Sequence, residues 1–280
     1  MLALLLSAAT AVAAPSLSVG GCSLQDAGRP DDGRGPVALL VESPGVRHRA
    51  HLALVDRLEL GGLDVWTLRV PVSAQRPDHL VSTAIPAALD ALPRRPRLLV
   101  GHGAGGTLAA QAVLALPASD RPDGLALLGA PLSLPPTALG AWLADQGPHG
   151  AALNLAPLAA AAPLWGEQPV VALLWGAPDA PLGRLSGAMA DTYRSWATGG
   201  LDLDLRALAE LPVWAAAGSE DRLAPVESVR PALSPDHTFH RYGRAALMPR
   251  PYAHGDLLER PRPARDLAAW ATQSLDGAAR

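Results

Sequence analysis

A glycine-rich hexapeptide, Gly-His-Gly-Ala-Gly-Gly at residues 101–106, constrains this chain more than any other stretch. An apolar run, Leu98–Val100, precedes it, and a helix-like run, Thr107–Leu116, follows it. Small residues in such a segment allow a sharp turn from strand to helix. In the motif G-x-S-x-G this turn carries a nucleophilic serine, but Gly103 occupies the serine position here. The pattern therefore predicts a strand–turn–helix unit that has lost its nucleophile.

The composition favours one large α/β core and excludes several classes of function. Of the 280 residues, 49% are hydrophobic and 18% are charged, so the chain can bury a sizeable core. The net charge of −3 argues against nucleic acid or anionic lipid as a partner. Lysine is absent, because all 23 Lys and Arg side chains are arginine. The chain therefore has neither the lysine of a phosphate-binding loop nor one for Schiff-base chemistry.

The first 22 residues resemble a bacterial export segment. Residues 2–6 form an apolar run too short to span a bilayer, and Ala11–Ala13 offers an A-x-A cleavage site. Cys22 follows Val-Gly-Gly, which resembles a lipobox whose cysteine becomes lipidated; a buried or idle thiol is the alternative. Residues 23–35 are predicted to form a polar leader. We expect an exported protein, periplasmic or lipid-anchored through Cys22.

Beyond the leader, apolar runs alternate with amphipathic stretches, which predicts a mostly parallel sheet flanked by helices. This core is expected over residues 36–131 and 205–280, shortened at its N-terminal edge because little sequence precedes it. The Trp-rich segment 132–204 is expected to form a helical cap over the carboxyl ends of the strands, or a plain helical excursion. The predicted strands are Val37–Val41, Leu63–Val70, Arg97–Gly101, Gly124–Leu128, Val213–Ala217 and Thr238–Tyr242. The predicted helices are Arg49–Leu60, His79–Ala91, Thr107–Leu116, Pro225–Leu233 and Pro263–Leu275.

Several segments, in chain order, resemble the α/β-hydrolase superfamily of serine esterases, lipases and acyltransferases. Val37–Val41 resembles the strand that leads into the oxyanion loop. Residues 211–225 resemble the acid segment, a strand ending in G-x-x-D, and residues 252–258 resemble the loop that carries the catalytic histidine. The resemblance implies that Asp221 is the triad acid and His254 the base, in the order that this fold uses. It implies the fold as well, over most of the chain from residue 36 onward.

The chain departs from the family pattern at two places. At the elbow, Gly103 leaves His254 without a hydroxyl to deprotonate, although the backbone N–H of Ala104 can still serve as an oxyanion donor. Where such hydrolases usually carry His-Gly, this chain has Glu42 followed by Ser43. A carboxylate there would repel an oxyanion unless Glu42 is turned away or protonated. Ser43 is a weak candidate for a substitute nucleophile, since it lies on the oxyanion loop and not at the strained elbow.

Three other features have competing interpretations. The hexapeptide also fits the dinucleotide fingerprint G-x-G-x-x-G, but residues 127–131 hold no acidic or arginine partner for a ribose. His102 occupies the variable elbow position and is expected to be a packing residue. The histidine pairs 48/51 and 237/240 are expected to be solvated or capping residues and not metal ligands. We therefore predict no metal and no cofactor.

Three functions of different classes remain open at this point. The first is a non-catalytic relative of the hydrolases that binds an apolar or acyl-type ligand, or a protein partner. The second is a weak ester hydrolase in which His254, oriented by Asp221, activates water in the space at Gly103. The third is a conventional esterase or lipase whose nucleophile lies elsewhere. Retention of both Asp221 and His254 favours the second, unless their bond only supports the two loops.

Overall fold

A computed structural model gives the three-dimensional arrangement of the chain. It describes residues 16–27, 35–133, 169–171, 184–186, 188–189, 192, 195–196, 201–221, 224–243, 251–252 and 254–275. Most of the predicted cap, 132–204, lies outside these residues, as do residues 1–15 of the predicted export segment. Among the described residues, no helix has the length and apolar character needed to cross a membrane.

An eight-stranded, mostly parallel sheet forms the centre of the fold. Its strand order is β1-β2-β4-β3-β5-β6-β9-β10, and only the pairs β1–β2 and β2–β4 are antiparallel. The central strands are apolar along their whole length, which is typical of a parallel sheet covered on both faces. The strands are β1 Ser16–Val19, β2 Cys22–Asp26, β3 Val37–Val41, β4 Asp64–Arg69, β5 Arg97–His102, β6 Gly124–Leu128, β9 Val213–Gly218 and β10 Thr238–Tyr242. The six strands predicted from the sequence are all present, with ends shifted by one residue at most.

Helices cover both faces of the sheet and bury two apolar clusters. One cluster lies under α3 and α4, and the other lies under α1 and α7. The helices are α1 His48–Leu60, α2 Pro77–His79, α3 Ile85–Ala91, α4 Ala104–Ala115, α5 Val226–Val229, α6 Asp256–Glu259 and α7 Pro261–Leu275. A π-helical turn, Leu80–Ala84, joins α2 to α3, and short 3-10 helices occur at Val72–Ala74, Ala118–Asp120, Leu205–Leu208 and Arg230–Ala232. The π-helical turn ends just before Pro86, whose missing N–H removes one α-helical hydrogen bond there.

The described part of the insertion contains strands as well as helical turns. Two short strands, β7 Pro169–Val171 and β8 Arg184–Ser186, pair in antiparallel fashion. Ser186 attaches this pair to the core, because its N–H donates to the side-chain oxygen of Gln75 at 2.9 Å and its hydroxyl donates to the Gln75 carbonyl. Gln75 lies in the connection after β4, at the carboxyl ends of the parallel strands. The insertion is thus anchored at the edge of the sheet where the elbow lies.

The N-terminal edge of the sheet is longer than the sequence suggested, so the prediction of a shortened edge is wrong. Gly20 and Gly21, with φ of 51° and 73°, form a two-residue turn between β1 and β2. Cys22 and Leu24 then point into the core from β2, inside the stretch predicted to be export segment and leader. Two adjacent residues at positive φ are typical of a type I′ hairpin, and the Gly-Gly pair is the signal for it.

Burial of Cys22 bears on the predicted lipid anchor. The thiol is almost fully buried, and burial raises its pKa to about 11. Cleavage before Cys22 would remove β1, and lipidation would require the side chain to leave the core. Lipidation stays a prediction from the sequence, and it conflicts with the hairpin that the structure places there.

Candidate active site

The glycine-rich hexapeptide forms a tight turn between β5 and α4. Gly103 has φ of 53° and ψ of −129°, a backbone conformation that side chains other than glycine rarely adopt. Its N–H donates to the Leu128 carbonyl at 2.9 Å, and its carbonyl accepts from the Thr107 N–H at 3.1 Å. The neighbouring strand and the helix therefore both hold the turn. The turn thus has the strained backbone geometry that a nucleophile elbow requires, and residue 103 carries no side chain.

Asp221 and His254 lie side by side at the carboxyl edge of the sheet. Asp221 follows β9, and His254 immediately precedes the turn into α6. The Nδ1 of His254 lies 3.0 Å from Oδ2 of Asp221, whose side chain is fully buried. The other carboxylate oxygen, Oδ1, accepts the Ala224 N–H at 2.8 Å. Because the carboxylate accepts from Nδ1, the Nε2 of His254 is left free to act as a base.

The base points at the empty nucleophile position. A Cβ atom at Gly103 would lie 2.9 Å from Nε2 of His254 and 3.4 Å from Oγ of Ser43. The first distance is shorter than an ordinary van der Waals contact, so the imidazole occupies part of the space that a serine side chain would need. The side chain of His254 is 23% exposed, so part of the ring is in contact with solvent. The structure thus brings together Gly103, Asp221, His254 and Ser43, as the sequence suggested.

Glu42 is held by a partner and does not stand as a free carboxylate. Its side chain pairs with Nδ1 of His48 in the first turn of α1. Burial raises the pKa of Glu42, and the hydrogen bond and the charge of His48 partly offset this rise. The expected repulsion of an oxyanion is therefore weakened by this pairing. The carboxylate oxygen Oε1 is directed to His48.

His102 packs behind the base, as predicted. It is almost fully buried, and its ring centroid lies 4.5 Å from that of His254. Its Nε2–H donates to the backbone carbonyl of His254 at 3.2 Å. Burial is the main cause that holds the pKa of His102 well below its usual range, so the ring is neutral at physiological pH. His102 therefore stabilises the loop that carries the base.

Two further residues, His51 and Gly129, contact the site, and the sequence predicted no role there for either of them. His51 was expected to be solvated or to cap a helix, but it is fully buried, and its Nε2 accepts the Ser43 N–H at 3.3 Å. Gly129, at the end of β6, has φ of 54°, and a Cβ there would lie 2.8 Å from Oδ2 of Asp221. The only sequence signal for Gly129 was its position directly after a buried strand. No signal pointed to His51, since its role depends on how α1 returns to the loop after β3.

The start of α4 places a backbone donor next to residue 103. Ala104 begins α4, so its N–H is one of the helix donors without an intrahelical acceptor. This end of the helix also carries a positive partial charge that favours a developing oxyanion.

Among the described residues, no group of three or more His, Cys, Asp or Glu side chains is arranged to hold a metal ion.

Comparisons with known proteins give structural likeness without sequence likeness. No protein-family model and no curated protein matches the sequence. A monoacylglycerol lipase from Paleococcus ferrophilus is 17% identical with a TM-score of 0.59, over 90% of this chain and 99% of its own. A carboxylesterase structure from Nitrososphaera gargenis is 13% identical with a TM-score of 0.62, over 94% of this chain and 100% of its own. The enol-lactonase from Burkholderia xenovorans LB400 is 16% identical with a TM-score of 0.58, over 92% and 100% of the two chains.

Proposed function

We propose that this chain, which has the α/β-hydrolase fold, binds a small apolar or acyl-type ligand beside Asp221 and His254 without forming a covalent acyl intermediate. The observation that carries the proposal is the geometry at Gly103. Nε2 of His254 lies 2.9 Å from the place of a nucleophile's Cβ, and glycine puts no hydroxyl there. Acyl transfer by a triad begins with attack of that hydroxyl oxygen on the carbonyl carbon. Without it, the pair can orient a carbonyl ligand but cannot become acylated.

The solved structures that this chain resembles support the class of ligand. They are described as a lipase, a carboxylesterase and a lactonase, whose names refer to carbonyl compounds. The segment 132–204 is rich in alanine, leucine and tryptophan, which suits an apolar acyl chain. A protein partner is the alternative occupant, and it would make no use of the buried Asp221 carboxylate.

The retained Asp221–His254 bond favours one second candidate, a weak ester hydrolase. Nε2 of His254 would take a proton from a water molecule as its oxygen forms a bond to the ester carbonyl carbon. The tetrahedral intermediate then expels the alcohol, which receives the proton from His254. The buried carboxylate would stabilise the imidazolium formed between these two steps.

Export is the third part of the proposal, and it rests on the sequence of residues 1–14. Cleavage after Ala13 is the version that agrees best with the fold. It keeps Ser16–Val19, which pairs with β2 along its whole length. Cleavage before Cys22 would discard that strand.

Ester turnover distinguishes binding from weak hydrolysis. The wild-type protein and the His254→Ala variant are compared with p-nitrophenyl acetate, butyrate and octanoate at pH 7.5. We expect nitrophenol release by the wild type to stay within about threefold of the release by His254→Ala, because the nucleophile that carries most of the catalysis is missing. Binding is measured in parallel by calorimetry with 2-undecanone, which resists hydrolysis, and saturable binding is expected.

A different pattern would favour the second candidate. Saturable turnover by the wild type that falls at least tenfold in both His254→Ala and Asp221→Asn would contradict a purely binding function. The matched control is His240→Ala, since His240 is partly exposed on β10 outside the pair. Loss of turnover in that control as well would point to general destabilisation.

A further inference from the structure

Two of the first three residues after β3 offer no backbone donor to a ligand. The Glu42 N–H is used inside the sheet, where it donates to the Leu68 carbonyl at 3.2 Å. Pro44 has no N–H. Of these first three loop residues, only Ser43 has an N–H that the sheet does not use, and it donates to Nε2 of His51 at 3.3 Å.

Ser43 lies next to the position of the missing nucleophile, so its N–H is a candidate donor to a ligand's carbonyl oxygen. The hydroxyl oxygen of Ser43 lies 3.4 Å from the place of a Cβ at Gly103, so residue 43 borders the space that a reacting carbonyl would enter. On the other side of that space, α4 begins at Ala104 with a free N–H. In the α/β-hydrolase fold, the oxyanion hole consists of one N–H from the residue after the nucleophile and one from the loop after this strand. By chain position, Ala104 is the residue after position 103, and Ser43 lies on the loop after β3 with its hydroxyl next to that position.

The surroundings of His51 keep its ring neutral, so that one ring nitrogen can accept a hydrogen bond. His51 is fully buried on the inner face of α1, and burial lowers its pKa to about 4. The backbone of Arg47 and His48, one turn earlier, offsets only part of this lowering of the His51 pKa. Because Nε2 accepts the Ser43 N–H, the proton of the neutral ring is on Nδ1, which is buried and makes no hydrogen bond to another described residue. A neutral imidazole with this tautomer therefore faces the loop at physiological pH.

We infer that His51 occupies the second oxyanion donor of the fold, so that this chain lacks two elements of acyl-transfer chemistry, the nucleophile and one half of the oxyanion hole. The inference rests on the proposed function, because it explains why the site binds a carbonyl group without polarising it strongly. A carbonyl oxygen placed between Ala104 and Ser43 meets one free N–H. The other N–H must first leave His51, and the buried imidazole would then lose its partner.

The consequence is that restoring the serine restores only part of the activity. One oxyanion donor contributes about 100-fold to 1,000-fold in turnover. In a Gly103→Ser background, replacement of His51 by a residue that cannot accept a hydrogen bond frees the Ser43 N–H for the substrate. Because the freed donor acts mainly on the transition state, kcat should rise while KM stays nearly constant.

The test compares two double variants with Gly103→Ser alone on p-nitrophenyl butyrate. Gly103→Ser/His51→Phe keeps a ring of similar size without an acceptor, and we expect its kcat to exceed that of Gly103→Ser at least tenfold. Gly103→Ser/His51→Gln keeps an acceptor, and we expect its kcat to stay within threefold of that of Gly103→Ser. The matched control is Gly103→Ser/His237→Phe, because buried His237 accepts the Ser234 N–H through Nδ1 at 3.1 Å near the start of β10. This control should gain nothing.

Equal rates for Gly103→Ser and Gly103→Ser/His51→Phe, equal inactivity included, would overturn the inference. A second measurement needs no variant and covers the case in which His51→Phe fails to fold. Long-range ¹H–¹⁵N spectra of the wild type at pH 7 should show His51 with Nδ1 protonated and Nε2 unprotonated. A protonated Nε2 would refute the inference. Ester turnover by the wild type would count against the proposed function. It would change neither the expected difference in kcat between Gly103→Ser and Gly103→Ser/His51→Phe nor the expected tautomer of His51.

Discussion

Gly103→Ser is expected to raise ester hydrolysis at least about 100-fold above the wild-type rate. Loss of the serine from a complete triad costs on the order of 10⁶ in turnover, and here the acid and the base are already aligned. We expect recovery to be incomplete, since a Cβ at residue 103 lies only 2.9 Å from Nε2 of His254 and the ring must retreat. The rate is measured with p-nitrophenyl butyrate at pH 7.5.

Two controls isolate the hydroxyl group. Gly103→Ala introduces the same Cβ and the same backbone strain without an oxygen, so it should remain at the wild-type rate. Gly103→Ser/His254→Ala restores the oxygen and removes its base, so it should lose most of the gain. A Gly103→Ser variant that folds and is no faster than Gly103→Ala would show that the elbow does not present residue 103 to the substrate.

Gly101→Ala is expected to lower the free energy of unfolding by about 3 kcal/mol, the largest stability effect that we predict. A Cβ at Gly101 would lie 2.6 Å from the backbone N of Gly106 and 2.7 Å from the carbonyl oxygen of Gly105. Both are main-chain atoms at the start of α4, so no side-chain rotation relieves the overlap. The helix would have to move away from β5, against which it packs directly.

Urea denaturation followed by circular dichroism measures this change. The control is Gly243→Ala, because a Cβ at Gly243 meets no atom of the described residues within 4 Å. That variant should stay within about 0.5 kcal/mol of the wild type. If Gly101→Ala matched the control, the close approach of β5 and α4 at the elbow would be wrong.

The parts of the fold that the sequence predicted well are those in which local patterns and tertiary contacts agree. Val37–Val41 and Gly124–Leu128 are unbroken apolar runs, and both are fully buried central strands. The last helix was predicted from its amphipathic repeat, and it begins two residues earlier, at Pro261. Proline is favoured in the first turn of a helix because its missing N–H has no acceptor there. In these three elements only a boundary shifted, whereas the predicted helix Pro225–Leu233 is a short α-helix followed by a 3-10 turn.

The hairpin of β1 and β2 was missed because its local signals competed with others. Ser16–Val19 follows an apolar run that resembles an export segment, and Gly20 with Gly21 precedes the cysteine of a lipobox-like sequence. The same two glycines form the turn that pairs the strands. The contact of β2 with β4, at least 40 residues later, is the interaction that the local sequence does not reveal.

The residues of the site also include some that the sequence predicted and some that it did not. Gly103, Asp221 and His254 could be placed from motifs, because the fold fixes the strand ends from which they project. The bond between Ser43 and His51 could not, since eight residues and one helical turn separate the two, and nothing in the sequence fixes the direction of the His51 ring. The pairing of Glu42 with His48 depends on the same return of α1 toward the loop.

Labelling with a fluorophosphonate tests the central claim most directly, because such reagents phosphonylate an activated serine and leave a stable adduct. The wild-type protein is incubated with the reagent at pH 7.5, and its intact mass is measured. The account predicts an unmodified mass for the wild type and one phosphonyl group on Gly103→Ser. An adduct on the wild type that disappears in His254→Ala would contradict the account. If that adduct were also absent from Ser43→Ala, Ser43 would be the nucleophile.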